Sequence, residues 1–165
     1  MKTAIIFSGN NGTTEIVANM ISKKLNHTVD IFDTSKTFYI DFEEYDNFVL
    51  GTNIRYGNLN KRFIKLLSKM QNYTTDKQNY YVYITGVDVD KAEDYIAKAR
   101  NLVKVICDYY FVGGELNIAN LKFINKLIAK AYLKSYLTSH ENNPSLIYEN
   151  IDTLVESINS EGEKK

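Results

Sequence analysis

Residues 2–25 carry the feature that most constrains the fold. Lys2 to Phe7 is a β-branched and aromatic run that stops at Ser8-Gly9-Asn10-Asn11-Gly12, and Ile16, Val17, Met20, Ile21 and Leu25 follow at once with helical spacing. A strand that passes through a glycine-rich turn directly into a helix is the first half of a parallel crossover. A chain that begins this way is committed to a sheet covered by helices.

The rest of the chain repeats the alternation. A short second strand fits Thr28 to Phe32, and a stronger third fits Asn47 to Thr52. A helix then places Phe63, Ile64, Leu67 and Met70 on one face. Tyr80 to Thr85 reads as a fourth strand ended by Gly86, followed by helical spacing of Ala92, Tyr95, Ile96, Ala99, Leu102 and Val103. Asp108 to Val112 is a fifth strand, stopped by Gly113-Gly114. After a long connection holding Pro144, a last helix aligns Ile151, Leu154, Val155 and Ile158, and the tail from Ser160 to Lys165 is expected to fray. Five strands separated by helices predict a three-layer αβα sandwich with a parallel sheet in the order 2-1-3-4-5, formed by one domain over residues 1–160. In that topology ligands bind beyond the carboxyl ends of the strands, so the loops after strands one, three and four are the candidate site.

The first of these loops suits an anion. Gly9 and Gly12 let backbone approach closely, Ser8, Asn10, Asn11, Thr13 and Thr14 offer donors, and the free N–H groups of a helix start add the positive end of its dipole. It contains neither Gly-Lys-Ser/Thr, which would serve a nucleoside triphosphate, nor Gly-x-Gly-x-x-Gly, which would serve a dinucleotide. With no lysine or arginine in the loop, a phosphate monoester held by hydroxyls and backbone is the best match. The same residues also suit an ordinary capped helix start.

Ser8-Gly9 followed by Gly12-Thr13-Thr14-Glu15 resembles the phosphate loop of flavodoxins, although flavodoxins more often carry hydroxyl residues where Asn10 and Asn11 stand. Leu50-Gly51-Thr52-Asn53-Ile54-Arg55-Tyr56-Gly57 is similar to a segment of the flavodoxin-like menaquinone-dependent protoporphyrinogen oxidases, and the resemblance extends over nearly the whole chain. It implies flavin mononucleotide (FMN) as cofactor. Thr52, Asn53, Ile54, Arg55, Tyr56 and Gly57 would lie at the isoalloxazine ring, with Thr85, Gly86 and Val87 on its other side. Tyr56 would stack, and Arg55 would raise the reduction potential by favouring the negatively charged reduced ring. The oxidases tend to have histidines after this segment, whereas this chain has Asn58 and Asn60.

Charge bears on which kind of flavoprotein the resemblance implies. Lysine plus arginine (20) balances aspartate plus glutamate (20), which gives no bulk field towards nucleic acid. Flavodoxins that act as electron carriers are strongly acidic as a family. Neutrality and Arg55 therefore favour an FMN-dependent oxidoreductase acting on an organic substrate, with a porphyrinogen or a quinone among the reactants. An electron carrier docking on a redox protein is the alternative. Lys122, Lys126, Lys130 and Lys134 recur every four residues within 121–137, a stripe suited to a membrane surface, to an acidic substrate, or simply to solvent. His27 and His140 read as surface residues and the lone Cys107 as a buried strand residue, without a cluster for a metal. The apolar runs are too short to span a bilayer, and the N-terminus reads as a strand rather than a leader, so a cytosolic protein is expected.

Overall fold

A computed structural model describes residues 1–9, 12–36, 39–70, 77–103, 105–116, 118 and 123–163. The elements run β1 (Lys2–Ser8), α1 (Thr13–Lys24), β2 (Thr28–Asp33), β3 (Asn47–Arg55), β4 (Asn58–Leu59), α2 (Lys61–Met70), β5 (Asn79–Thr85), α3 (Ala92–Arg100), β6 (Cys107–Phe111), α4 (Phe123–Tyr136) and α5 (Tyr148–Glu163). The sheet is parallel in the order β2-β1-β3-β5-β6. This is the predicted 2-1-3-4-5 winding once β4, which pairs antiparallel with the end of β3, is set aside.

Alternation along the strands feeds two cores, as expected of central strands covered on both faces. Ala4, Ile6, Phe48, Leu50, Val82 and Ile84 meet α2 and α3 through Phe63, Leu67, Tyr95 and Ala99. On the other face Ile5, Phe7, Val49, Tyr81 and Tyr83 meet α1 and α5 through Val17, Ile21, Ile151, Leu154 and Ile158.

Several local expectations change. α1 turns Ile16 outward, 53% exposed, because Thr14, Val17, Ala18 and Ile21 form its inner face. α3 stops at Arg100, so Leu102 and Val103 follow in a turn rather than in the helix. α5 extends into the tail, as far as Glu163. The two histidines are partly buried and bonded rather than free at the surface. His27 Nε2 lies 2.7 Å from Thr3 Oγ1, and burial lowers its pKa. His140 stacks on Tyr136, with ring centroids 3.9 Å apart, and reaches Asp90 at 3.3 Å. Cys107 begins β6 half-buried, and burial pushes its thiol pKa up to about 11.

Between β6 and α5 the chain makes an excursion whose ends are fastened together. Gly113 bridges Leu146, Gly114 N–H donates to Ser145 O at 3.1 Å, and Ile147 N–H donates to Val112 O at 3.0 Å. α4 belongs to this excursion, and Ala129 is its one buried residue among those described.

Candidate functional site

The sheet register brings the expected loops to one edge. Ser8 is paired with Thr52, and Asn53 with Thr85, so the ends of β1, β3 and β5 coincide at their carboxyl side. α1 starts there at Gly12, whose φ of 83° is easily reached only without a side chain, and no side chain among the described residues caps the helix. Ile16 N–H makes the first helical bond, to Gly12 O, which leaves the N–H groups of Thr13, Thr14 and Glu15 without helical partners.

Hydroxyl groups tie the loops to one another. Thr14 Oγ1 lies 2.9 Å from Thr85 Oγ1, and the Thr85 hydroxyl donates to Thr52 O at 3.3 Å. A hydroxyl has one proton, so in this arrangement Thr14 gives its own to Thr85. Ser8 Oγ is likewise 2.8 Å from Thr34 Oγ1. Ser8, Thr14, Thr52 and Thr85 are all buried and join loop to loop. Gly9 fits against this arrangement because an added Cβ would come within 2.7 Å of Thr14 Cβ and Oγ1. Thr13, half-buried, is the remaining hydroxyl of the turn; Asn10 and Asn11 lie outside the described residues.

The segment after β3 is a two-residue hairpin. Arg55 pairs with Asn58 across Tyr56 (φ 50°) and Gly57 (φ 74°), two left-handed residues as a type I′ turn requires. Tyr56 is 65% exposed, with the Arg55 guanidinium 5.2 Å from its ring centroid and its hydroxyl donating to Asn125 Oδ1 of α4 at 3.2 Å. Lys98 Nζ fastens the turn from α3 by donating to Gly57 O at 2.7 Å. Asn53 is buried, and its side-chain oxygen accepts from Asn60 Nδ2 at 2.8 Å; Asn60 Oδ1 in turn accepts Arg62 N–H at the start of α2. Ile54 is half-buried beside Gly86, where an added Cβ would lie 3.4 Å from its side chain.

The third loop is a close backbone crossing. Gly86 N–H donates to Gly113 O at 3.0 Å, and a Cβ on Gly114 would stand 3.2 Å from the Gly86 backbone. Val87 follows, half-buried, and leads to Asp88, which pairs with Lys91 at 3.0 Å. The hydroxyl of Tyr132 on α4 is buried with no hydrogen-bond partner among the described residues; burial and the nearby charge of Asp88 push its pKa up to about 12.

Sequence reading missed four supports of this edge. Thr34, Lys98 and Asn125 have no local pattern to announce them. Tyr83 carries a partial signal, a tyrosine in the predicted fourth strand with Gly51 in the third; the structure sets them opposite in register, and the Tyr83 hydroxyl donates to Thr14 O at 2.8 Å from full burial.

A helix start after the first strand, with two further loops meeting it at the topological switch point, is the place where doubly wound αβα proteins as a class bind ligands. The family comparison is specific: the chain belongs to the flavodoxin domain family, whose model matches residues 4–142. It is also 32% identical over 72 residues to protoporphyrinogen IX dehydrogenase [quinone] of Escherichia coli (strain K12), a match covering 42% of this chain and 40% of that protein. Among solved structures it is similar to a flavoprotein in complex with FMN from Lactobacillus acidophilus NCFM, with a TM-score of 0.55 at 14% identity, covering 66% of this chain and 89% of that one. Oxidised flavodoxin 1 from Bacillus cereus gives a TM-score of 0.50 at 15% identity, covering 85% and 99%.

Proposed function

We propose that the chain binds FMN at the carboxyl edge of the sheet and works as an FMN-dependent oxidoreductase on an organic substrate. The observation that carries this is the uncapped first turn of α1, held against the β3 and β5 loops by the Thr14–Thr85–Thr52 connection. The residues suit the cofactor. The N–H groups of Thr13, Thr14 and Glu15 and the Thr13 hydroxyl can receive a phosphate, together with Asn10 and Asn11. Ser8, Gly9, Gly12 and the Thr14 side chain set the shape of the turn. Thr52, Asn53, Ile54, Arg55, Tyr56 and Gly57 on one side, and Thr85, Gly86 and Val87 on the other, can border the ring.

FMN, when bound, supplies the electron-accepting and electron-donating chemistry. The chain's part is positional and electrostatic. Tyr56 presents an exposed ring, and Arg55, which makes no ion pair among the described residues, keeps its positive charge available at the same turn. Likeness to the Escherichia coli dehydrogenase supports a porphyrinogen as donor and a quinone as acceptor for this chain.

Two measurements test the reading. Purified protein loaded with FMN is titrated anaerobically with protoporphyrinogen, then with a menaquinone analogue, while the visible flavin absorbance is followed; bleaching by the first and recovery with the second are expected. Arg55→Glu should lower the midpoint potential by an amount on the order of 1 kcal/mol per electron, reduced by salt, since the side chain is exposed. An unshifted potential with intact FMN affinity removes Arg55 from the ring. A wild-type potential far below that of free FMN, with no bleaching by the porphyrinogen, would assign the protein to electron carriage instead.

A further inference from the structure

A surface helix ordinarily turns its polar residues outward. α4 does the reverse. Phe123, Ile124, Leu127 and Ile128 are 78%, 71%, 57% and 50% exposed, and they fall at positions i, i+1, i+4 and i+5, which share one face. The opposite face, with Asn125, Ala129, Tyr132 and Tyr136, is turned towards the protein: Asn125 meets Tyr56, Ala129 is buried, and Tyr136 stacks on His140 beside Asp90. The helix is therefore apolar on both sides, a pattern that calls for a second covering.

The rim of the outward face indicates what covers it. Lys126, Lys130 and Lys134 stand four residues apart along one flank, and none makes an ion pair among the described residues. From Leu116 to His140 the sequence has four lysines and no acidic residue, in a chain of zero net charge, so the remainder carries a net charge of −4. Residues 47–75 are basic too, with Arg55, Lys61, Arg62, Lys65 and Lys69 and no acidic residue, but among the described residues it is α4 that joins such charge to a broad exposed apolar face. Beyond the lysines, the outward arc offers little that could make directional hydrogen bonds, whereas a protein interface usually carries about one per 100–200 Å². A fluid anionic surface needs none: apolar side chains enter the headgroup boundary while lysine stems lie flat and their ammonium groups reach phosphates.

We propose that α4 docks on an anionic lipid surface, with Phe123, Ile124, Leu127 and Ile128 inserted and Lys126, Lys130 and Lys134 at the headgroups. The Tyr56 turn, bonded to α4 through Asn125, is carried to the same surface.

Co-sedimentation of the full chain with vesicles of phosphatidylglycerol and phosphatidylcholine, compared with phosphatidylcholine alone, measures the docking. Binding to the anionic vesicles at low salt, its loss at high salt, and none to the neutral vesicles are expected. Lys130→Gln with Lys134→Gln should weaken partition about 25-fold, at about fivefold per lysine near the surface. Ile124→Ser with Leu127→Ser should abolish it. Lys65→Gln with Lys69→Gln, the same change of charge on exposed positions of α2, should leave it nearly intact. All the substituted side chains are exposed or on a helix rim, so unchanged circular dichroism is expected throughout. No binding to anionic vesicles overturns the proposal, as does equal loss in the α2 control. So does a dimer in solution that Ile124→Ser with Leu127→Ser dissociates, formed by protein that ignores vesicles.

Discussion

Gly51 shows how one missing side chain organises the site. A Cβ there would stand 2.1 Å from Tyr83 Cζ and 2.2 Å from its hydroxyl oxygen, so the ring of Tyr83 occupies the space that any other residue at 51 would claim. From that position the Tyr83 hydroxyl reaches Thr14 O and fixes the first turn of α1. Gly51→Ala is expected to destabilise the fold by about 1–3 kcal/mol, the usual scale of overpacking, seen as a lower urea midpoint. Tyr83→Phe, which keeps the ring and removes the bond, should cost about 1 kcal/mol. If Gly51→Ala unfolds at the wild-type midpoint, the ring is not held there. Sequence pattern makes Ser8, Thr52 and Thr85, at strand ends, and Thr14, at a helix start, candidate site residues, but it does not tell a hydroxyl that faces a ligand from one that bonds the next loop. That distinction depends on register, which sets Ser8 against Thr52 and Asn53 against Thr85 and is not visible in any one segment.

Among the elements, the β3–β4 hairpin is the strained one. Tyr56 is the single non-glycine residue with positive φ among the described residues, a conformation that costs an L-residue about 1–2 kcal/mol and that asparagine tolerates better. Strain retained at an exposed aromatic is a reason to look for function there. Tyr56→Asn should raise the urea midpoint by about 1 kcal/mol in stability while weakening FMN binding; a gain in stability with unchanged affinity would mean the ring contributes nothing to the cofactor. Tyr-Gly is not the Asn-Gly pair that usually announces such a turn, which is why β4 escapes a reading by pattern. The edge strand β2 is secured electrostatically. Tyr45 Oη donates to Asp30 Oδ2 at 2.8 Å and Lys2 Nζ lies 3.1 Å from the same atom; the phenol bond first, then the lysine, hold the Asp30 carboxyl below its ordinary 3.8. A carboxyl whose pKa is depressed by folding adds stability above that ordinary value and loses it as pH falls through the folded one. Acid unfolding followed by circular dichroism should therefore begin at higher pH in wild type than its neutral-pH stability alone predicts, and Asp30→Asn should flatten that decline. Equal acid profiles in the two proteins would show that the contact is too solvated to matter.

At the scale of the whole molecule the winding is legible because a strand is followed by a helix four times along the sequence, while the candidate site is legible only to its loops. Side-chain roles depended on partners far away in sequence, such as Thr34, Lys98 and Asn125. A ligand shared between loops of β1, β3 and β5 must stabilise the assembly as a unit. FMN at about 100 times its dissociation constant is expected to add about 2.7 kcal/mol to the unfolding free energy, and riboflavin, lacking the phosphate, much less at the same concentration. Equal shifts from the two would take the phosphate away from the α1 turn. The fastening of Gly113 to Leu146, with Gly114 bonded to Ser145, bears on chain length as well. Because the excursion leaves and rejoins the sheet at one point, its interior answers to almost no constraint from the strands. Its length can therefore change without moving the strand ends that line the candidate site.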